Sequence, residues 1–278
     1  MVMLIQKVLN NNVLIASHPE YKEVILTGKG IGFGKEVGAS ISLDHAERFF
    51  VLKGQEEQEQ YKQLLEHVDE QFIGVMNECI DRLEKRFGVE LHEHIHVGLT
   101  DHLFYAIKRI KQGLDIRNPF LKETELAYPK EYAAALEIVE WLKEKLHVSI
   151  PIGEVGFITL HIHSALTNRD ISEINRHTHL ILEMVQVIEE SLKISIDRSD
   201  INYLRLVRHF HASIERVINE QHEKDNQEVL AKVLQGEYPV CYNLAWKLIK
   251  IMQQELRKPV PGVEAVYLTL HLQRLSKQ

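Results

Sequence analysis

The sequence predicts a multidomain protein: a small antiparallel β domain at the N-terminus, followed by two duplicated all-α helical-bundle domains. Three observations carry that expectation. Short apolar runs separated by Asn, Pro and Gly occupy residues 1–55. Apolar residues at helical spacing take over after Glu56, and a stretch of about a hundred residues then occurs twice.

The β domain reads strand by strand. Leu4–Val8 and Val13–Ala16 flank an asparagine-rich turn, Asn10-Asn11-Asn12; Glu23–Thr27 supplies a third strand and Arg48–Leu52 a later one. A sheet this small has one exposed face and little core, so dimerisation is expected. Between the strands, Gly28, Gly30, Gly32 and Gly34 alternate with Lys29, Ile31, Phe33 and Lys35. Neither the phosphate-loop nor the dinucleotide glycine pattern fits this register. Strict alternation suggests an extended segment with one bare face, which a ligand could approach closely, and one face of cations and an aromatic ring. Phosphate contact and base stacking use those parts. A hairpin without any ligand reads the same way, and both alternatives stay open here.

Glu56-Glu57-Gln58-Glu59-Gln60 is a polar linker or helix start. Tyr61, Leu64, Leu65, Val68 and Phe72 then open the first helical domain, residues 61–168. Thr167-Asn168-Arg169-Asp170 forms the join, and the second helical domain takes residues 172–278. Pro119, Pro129, Pro151, Pro239, Pro259 and Pro261 punctuate both copies at related places.

The copies align closely. Tyr128, Tyr132, Glu154, Thr159 and His161 recur 110 positions later as Tyr238, Tyr242, Glu264, Thr269 and His271. His102, Ile107 and Arg109 recur 107 positions later as His209, Ile214 and Arg216. Duplication of a core alone would repeat apolar residues; here a polar, nucleophilic side chain repeats too. Arg109 and Arg216 lie two turns after their histidines, and Glu154 and Glu264 two turns before theirs. A neutral imidazole can accept a phosphoryl group near pH 7. The competing reading makes these histidines ordinary helix residues kept by the duplication. Metal ligation competes as well, through His92-Glu93-His94-Ile95-His96 and His161-Ile162-His163. On a helix, however, residues two apart face away from one another, and the H-E-x-x-H pattern is missing. No metal or other cofactor is expected.

Composition narrows the classes further. Of 278 residues, 45% are hydrophobic and 26% charged, which suits an ordinary globular protein. The net charge of −7 argues against broad nucleic-acid binding, although residues 1–53 carry one excess positive charge. Two distant cysteines suggest a reducing compartment, and no apolar run is long enough to span a membrane. Neither a signal-peptide core nor a Ser or Cys nucleophile elbow is present. A cytoplasmic protein without enzymatic activity is expected.

Taken in order, Lys7-Val8-Leu9-Asn10-Asn11-Asn12-Val13-Leu14, the glycine segment 28–35 and two histidine-bearing helical repeats resemble the bacterial sugar-phosphotransferase-controlled transcriptional antiterminators of the BglG/LicT type. The resemblance covers essentially the whole chain and is strongest to the glucose-system branch. It implies an RNA-binding β domain followed by two helical regulatory domains (PRD). The β domain would bind, as a homodimer, an RNA hairpin overlapping a terminator. The resemblance implies RNA contact by Lys7, Asn12, Gly28, Lys29, Gly30, Phe33 and Lys35. It implies phosphorylation of His102, His161, His209 and His271. The implied partners are a sugar permease enzyme II, of glucose type, and the phosphocarrier protein HPr. The alternative is a DNA-binding transcriptional activator carrying the same regulatory domains; it would need a helix-turn-helix at its N-terminus.

Overall fold

A computed structural model of the chain describes residues 2–46, 48–50, 60, 63–64, 67–114, 116–221 and 227–277. Five strands, β1 (Val2–Asn10), β2 (Val13–His18), β3 (Lys22–Thr27), β4 (Ser40–Ser42) and β5 (Arg48–Phe50), form one antiparallel sheet. Their order is β4-β1-β2-β3-β5. The three long strands fall where alternation and turn residues placed them. Ser40–Ser42 was not foreseen, because a three-residue edge strand with one apolar side chain has no readable period. The expected strand end at Leu52, the run Glu56–Glu59, Tyr61 and Leu65 lie outside the described residues.

The open sheet face expected from the sequence is observed only in part: Val2 and Leu4 of β1 are exposed, but the neighbouring strands are covered. Met3, Ile5, Leu14, Ala16, Val24, Leu26, Ile31 and Ile41 make a small core on one face. On the other, Val13, Ile15 and Ile25 join the apolar cluster of the first helical domain, with Leu64, Val68 and Phe72. The alternation of β2 therefore serves two cores. One sheet face is burial within the chain, which alternation alone cannot distinguish from an exposed or dimeric face.

From Glu70 on, ten α-helices follow among the described residues, five per repeat. The first set is α1 (Glu70–Phe87), α2 (His94–Lys111), α3 (Leu121–Ala127), α4 (Pro129–Leu146) and α5 (Ile152–Thr167). The second is α6 (Ile171–Leu192), α7 (Ile201–Ile218), α8 (Glu228–Glu237), α9 (Pro239–Leu256) and α10 (Val263–Leu275). Caps set several boundaries. Asp69 accepts from the Phe72 amide at 2.8 Å, Asp200 accepts from the amides of Asn202 and Tyr203, and Gly88 ends α1 in the left-handed region. Among the described residues no helix is long and apolar enough to cross a membrane.

By their contacts the residues form two compact units, 1–118 with 130–169, and 119–129 with 170–278. Helix α3, although part of the first repeat in sequence, thus belongs to the second unit. There Glu123 is buried and accepts a hydrogen bond from the Tyr203 hydroxyl, and Tyr128 meets His211 edge-on at 4.9 Å. Within their units, α2 packs on α5 and α7 packs on α10. Those two pairings carry the four histidines.

Candidate functional site

The glycine segment is not extended. Residues 29–34 form successive turns, with the amides of Ile31, Phe33 and Lys35 donating to the carbonyls of Gly28, Gly30 and Gly32 at 3.0–3.2 Å. Gly30 and Gly34 adopt φ of +72° and +64°, so two of the four glycines are required by left-handed backbone rather than by a bare strand face. The asparagine turn holds this loop. Asn12 Oδ1 accepts from the Gly30 amide at 2.7 Å, the Asn12 carbonyl from Gly28 at 3.0 Å, and the Asn11 carbonyl from Gly32 at 2.8 Å.

Of the residues expected at a nucleic-acid surface, Lys7, Lys29, Gly30, Phe33 and Lys35 are exposed. Phe33 stands out at 75% exposure, and an aromatic ring left so open is available for stacking. Gly28, also expected at that surface, is instead buried, as is Ile31, because both lie on the inner side of the turns. Asn12 has a supporting role that spacing did not reveal: its carboxamide oxygen shapes the loop. Lys7 follows an irregularity in the β1–β2 register between Ile5 and Lys7, which locally resets the strand's facing.

In the first helical domain, His102 and His161 lie with ring centroids 5.2 Å apart, and Phe157 is 5.6 Å from His102. His102 Nε2 is 2.9 Å from Glu154 Oε2, and Arg109 donates to Glu154 Oε1 at 3.3 Å. The second domain repeats the arrangement. His209 and His271 are 5.0 Å apart, His209 Nε2 is 3.0 Å from Glu264 Oε2, and Arg216 donates to Glu264 Oε1 at 2.6 Å. The sequence placed each Glu and each Arg on its histidine's face. It did not show that the Arg is held by the Glu rather than by the imidazole. Gly98 is a contributor that sequence reasoning missed: a Cβ there would come within 3.2 Å of His161 Nδ1, so its hydrogen admits the ring.

The electrostatics follow from burial and these pairs. Burial would raise the Glu154 carboxyl, but His102 and Arg109 outweigh it and hold the group below its ordinary value. Burial is outweighed in the same way at Glu264, by His209 and Arg216, and its pKa falls to about 2. His161 is pushed down to about 3, first by burial and then by His102 and His94. His271 is lowered to about 4, by burial, then His209, Arg274 and Arg205. Both inner rings are therefore neutral at pH 7. A carboxylate beside Nε2 of His102 and His209 favours the Nε2–H tautomer, which leaves a lone pair on Nδ1.

The other histidines behave differently. His92 and His94 touch, Nδ1 to Nδ1 at 2.7 Å, because His92 precedes α2 and the helical rule for residues two apart does not reach it. His94 Nε2 meets Ser164 Oγ at 2.9 Å, and His163 Nδ1 meets Glu131 at 2.9 Å. Among the described residues no three His, Cys, Asp or Glu side chains are grouped to hold a metal ion.

The PRD domain family matches residues 77–165 and 182–275, and the CAT RNA binding domain family matches residues 3–59. The PtsGHI operon antiterminator of Bacillus subtilis is 51% identical over 274 residues, covering 99% of this chain and 97% of that protein. The glcA/glcB genes antiterminator of Staphylococcus carnosus is 36% identical, covering 99% and 96%. The crystal structure of GlcT CAT-PRDI matches with a TM-score of 0.55 at 50% identity, covering 60% of this chain and 99% of that one.

Proposed function

The chain belongs to the transcriptional antiterminators built from a CAT RNA binding domain and two PRD domains, and on that premise we propose how its parts act. It is an antiterminator under phosphotransferase control, of the glucose-system type. Residues 1–55, 61–168 and 172–278 act as the RNA-binding module and the first and second regulatory modules. The chain catalyses no reaction of its own and works in the cytoplasm as a homodimer on one RNA hairpin. Lys7, Lys29 and Lys35 meet phosphates, Phe33 stacks on a base, and Gly30 lets the backbone come close, while the buried Gly28 and the half-buried Asn12 support the loop from within.

The observation that carries the regulatory half is the repeated Glu–Arg–His–His arrangement. Each outer histidine, His102 or His209, has a partner imidazole about 5 Å away and a carboxylate on its Nε2. Nδ1 attacks the phosphorus of a donor; the N–P bond forms as the bond to the donor breaks, and the electron pair leaves with the donor. The product adds about −1.5 to −2 charges beside Glu154 or Glu264. Like charges in one site are unfavourable, so Arg109 or Arg216 is drawn from the carboxylate toward the phosphoryl group. That exchange loosens the contact between α2 and α5, or between α7 and α10, and so reaches the packing of the domain.

Phosphorylation of His102 or His161 by a glucose-type permease enzyme II disfavours the RNA-binding dimer. The phosphocarrier HPr serves His209 and His271. Terminator read-through without inducing sugar, measured in the four single His→Ala variants, tests this. His102→Ala and His161→Ala should each give constitutive read-through. If they stay repressed while a second-domain variant becomes constitutive, the inhibitory site is misassigned.

A further inference from the structure

The two histidine pairs share their inner geometry but not their rims. Arg205 is four residues before His209 on α7, Arg208 is its neighbour, and Arg274 is three residues after His271 on α10. The repeat aligns these with Gly98, Asp101 and Ser164 of the first domain. Three cations therefore stand where the first pair has two neutral residues and one carboxylate. Arg205, Arg208 and Arg274 are exposed, whereas His209 and His271 are half-buried. Arg205 and Arg274 also act electrostatically on the His271 ring. A cavity of about 200 Å³ at His209 is lined by Arg216, Gln221, Glu264 and Tyr267. The Tyr267 ring is 6.0 Å from His209, and its hydroxyl accepts from Gln227 at 3.1 Å.

We propose that Arg205, Arg208 and Arg274 make the second histidine pair a receptor for dianionic phosphoryl groups, so that it accepts phosphoryl faster than the first pair whatever protein donates. This rests on the reading of the four histidines as acceptors and adds the residues that set their unequal reactivity. The arginines are specificity-determining, not reacting, groups. A cleft of one charge sign raises the encounter rate of an opposite charge by tenfold or more, and salt removes the effect. Asp101 acts in the opposite sense beside His102.

Phosphoramidate separates this effect from recognition of a donor protein. An imidazole nitrogen attacks its phosphorus, the N–P bond to the protein forms, the bond to the amine breaks, and ammonia leaves after taking a proton. The full chain is treated at low ionic strength and phosphohistidine is followed at each of the four positions by peptide mass spectrometry. His209 or His271 should label about tenfold faster than His102 or His161, and the ratio should shrink toward one in high salt. Arg205→Gln, Arg208→Gln and Arg274→Gln together should bring the second pair to the rate of the first and leave the first unchanged. Arg205→Lys, Arg208→Lys and Arg274→Lys should retain most of the advantage. Circular dichroism confirms that these surface variants are folded. Equal labelling of the two pairs, or a second-pair rate that the glutamine variants do not change, overturns the proposal and leaves the acceptor assignment standing. Absence of label at all four positions overturns the acceptor assignment itself, and the proposal with it.

Discussion

Replacing Glu264 by Gln should destabilise the second helical domain by about 3 kcal/mol at pH 7. The magnitude comes from the carboxyl's own titration. Its pKa lies at about 2 against an ordinary 4.5, and its side chain is only 5% exposed, so solvent screens the interaction little. At about 1.4 kcal/mol per unit, a shift of that size gives the stated figure. Arg216 would keep its charge with no carboxylate at 2.6 Å; with its side chain 34% exposed, solvent takes up part of that cost, so the figure stays near the lower end of the about 3–5 kcal/mol of a fully buried pair. The sign sets the pH dependence. The folded pKa is depressed, so the contribution is full above 4.5 and is lost as pH falls toward about 2. At pH 3 the gap between the native chain and the variant should be about 1.4 kcal/mol. The chain has two tryptophans, Trp141 and Trp246, so a Trp141→Phe background makes Trp246 the reporter of the second domain. Urea unfolding followed by Trp246 fluorescence at pH 7, 5 and 3 gives the gap. A difference under 1 kcal/mol at pH 7, or one that does not change down to pH 3, would refute the reasoning.

His161 should show no imidazole titration above pH 4 in a proton–nitrogen NMR series, since its pKa is about 3. A base depressed on folding is charged more readily in the unfolded chain. The first helical domain should therefore lose stability as pH falls from 6.5 toward 3, and a His161 midpoint near 6.5 would contradict the buried, neutral ring. Phe33→Ala should weaken hairpin RNA binding by about 1–3 kcal/mol, and Lys29→Ala should reduce the slope of affinity against salt. Unchanged binding in both folded variants would remove the glycine loop from the interface. Sedimentation of the RNA complex should give two chains per hairpin; a one-to-one complex of full affinity would rule out the dimeric reader.

The family and the modules were more legible than the geometry of either site. The duplicated His, Glu and Arg positions could be read because helical spacing places residues three, four and seven apart on one face, and the duplication repeats the test. The glycine segment misled for a related reason. Alternation is a strand signal only when each residue is extended, and positive φ at Gly30 and Gly34 turns the chain instead. Nothing in the local pattern announces that Asn12, eighteen residues earlier, bonds Gly30. Ser40–Ser42 was invisible because its pairing with β1, not its composition, makes it a strand.

By itself the sequence determined the class of each module, the long strands, the repeat and the four histidines, because local periodicity and duplication are properties of the chain alone. Only the tertiary structure decided which side chains meet. It sent Val13, Ile15 and Ile25 into the first helical core rather than to an open face, and grouped α3 with the second unit through Glu123 and Tyr203. It also set Glu154 between His102 and Arg109, with Glu264 likewise between His209 and Arg216. The physical reason is one of range. Facing within an element is set by residues a few positions apart, whereas charge neutralisation and apolar burial are satisfied by whichever distant element packing brings near.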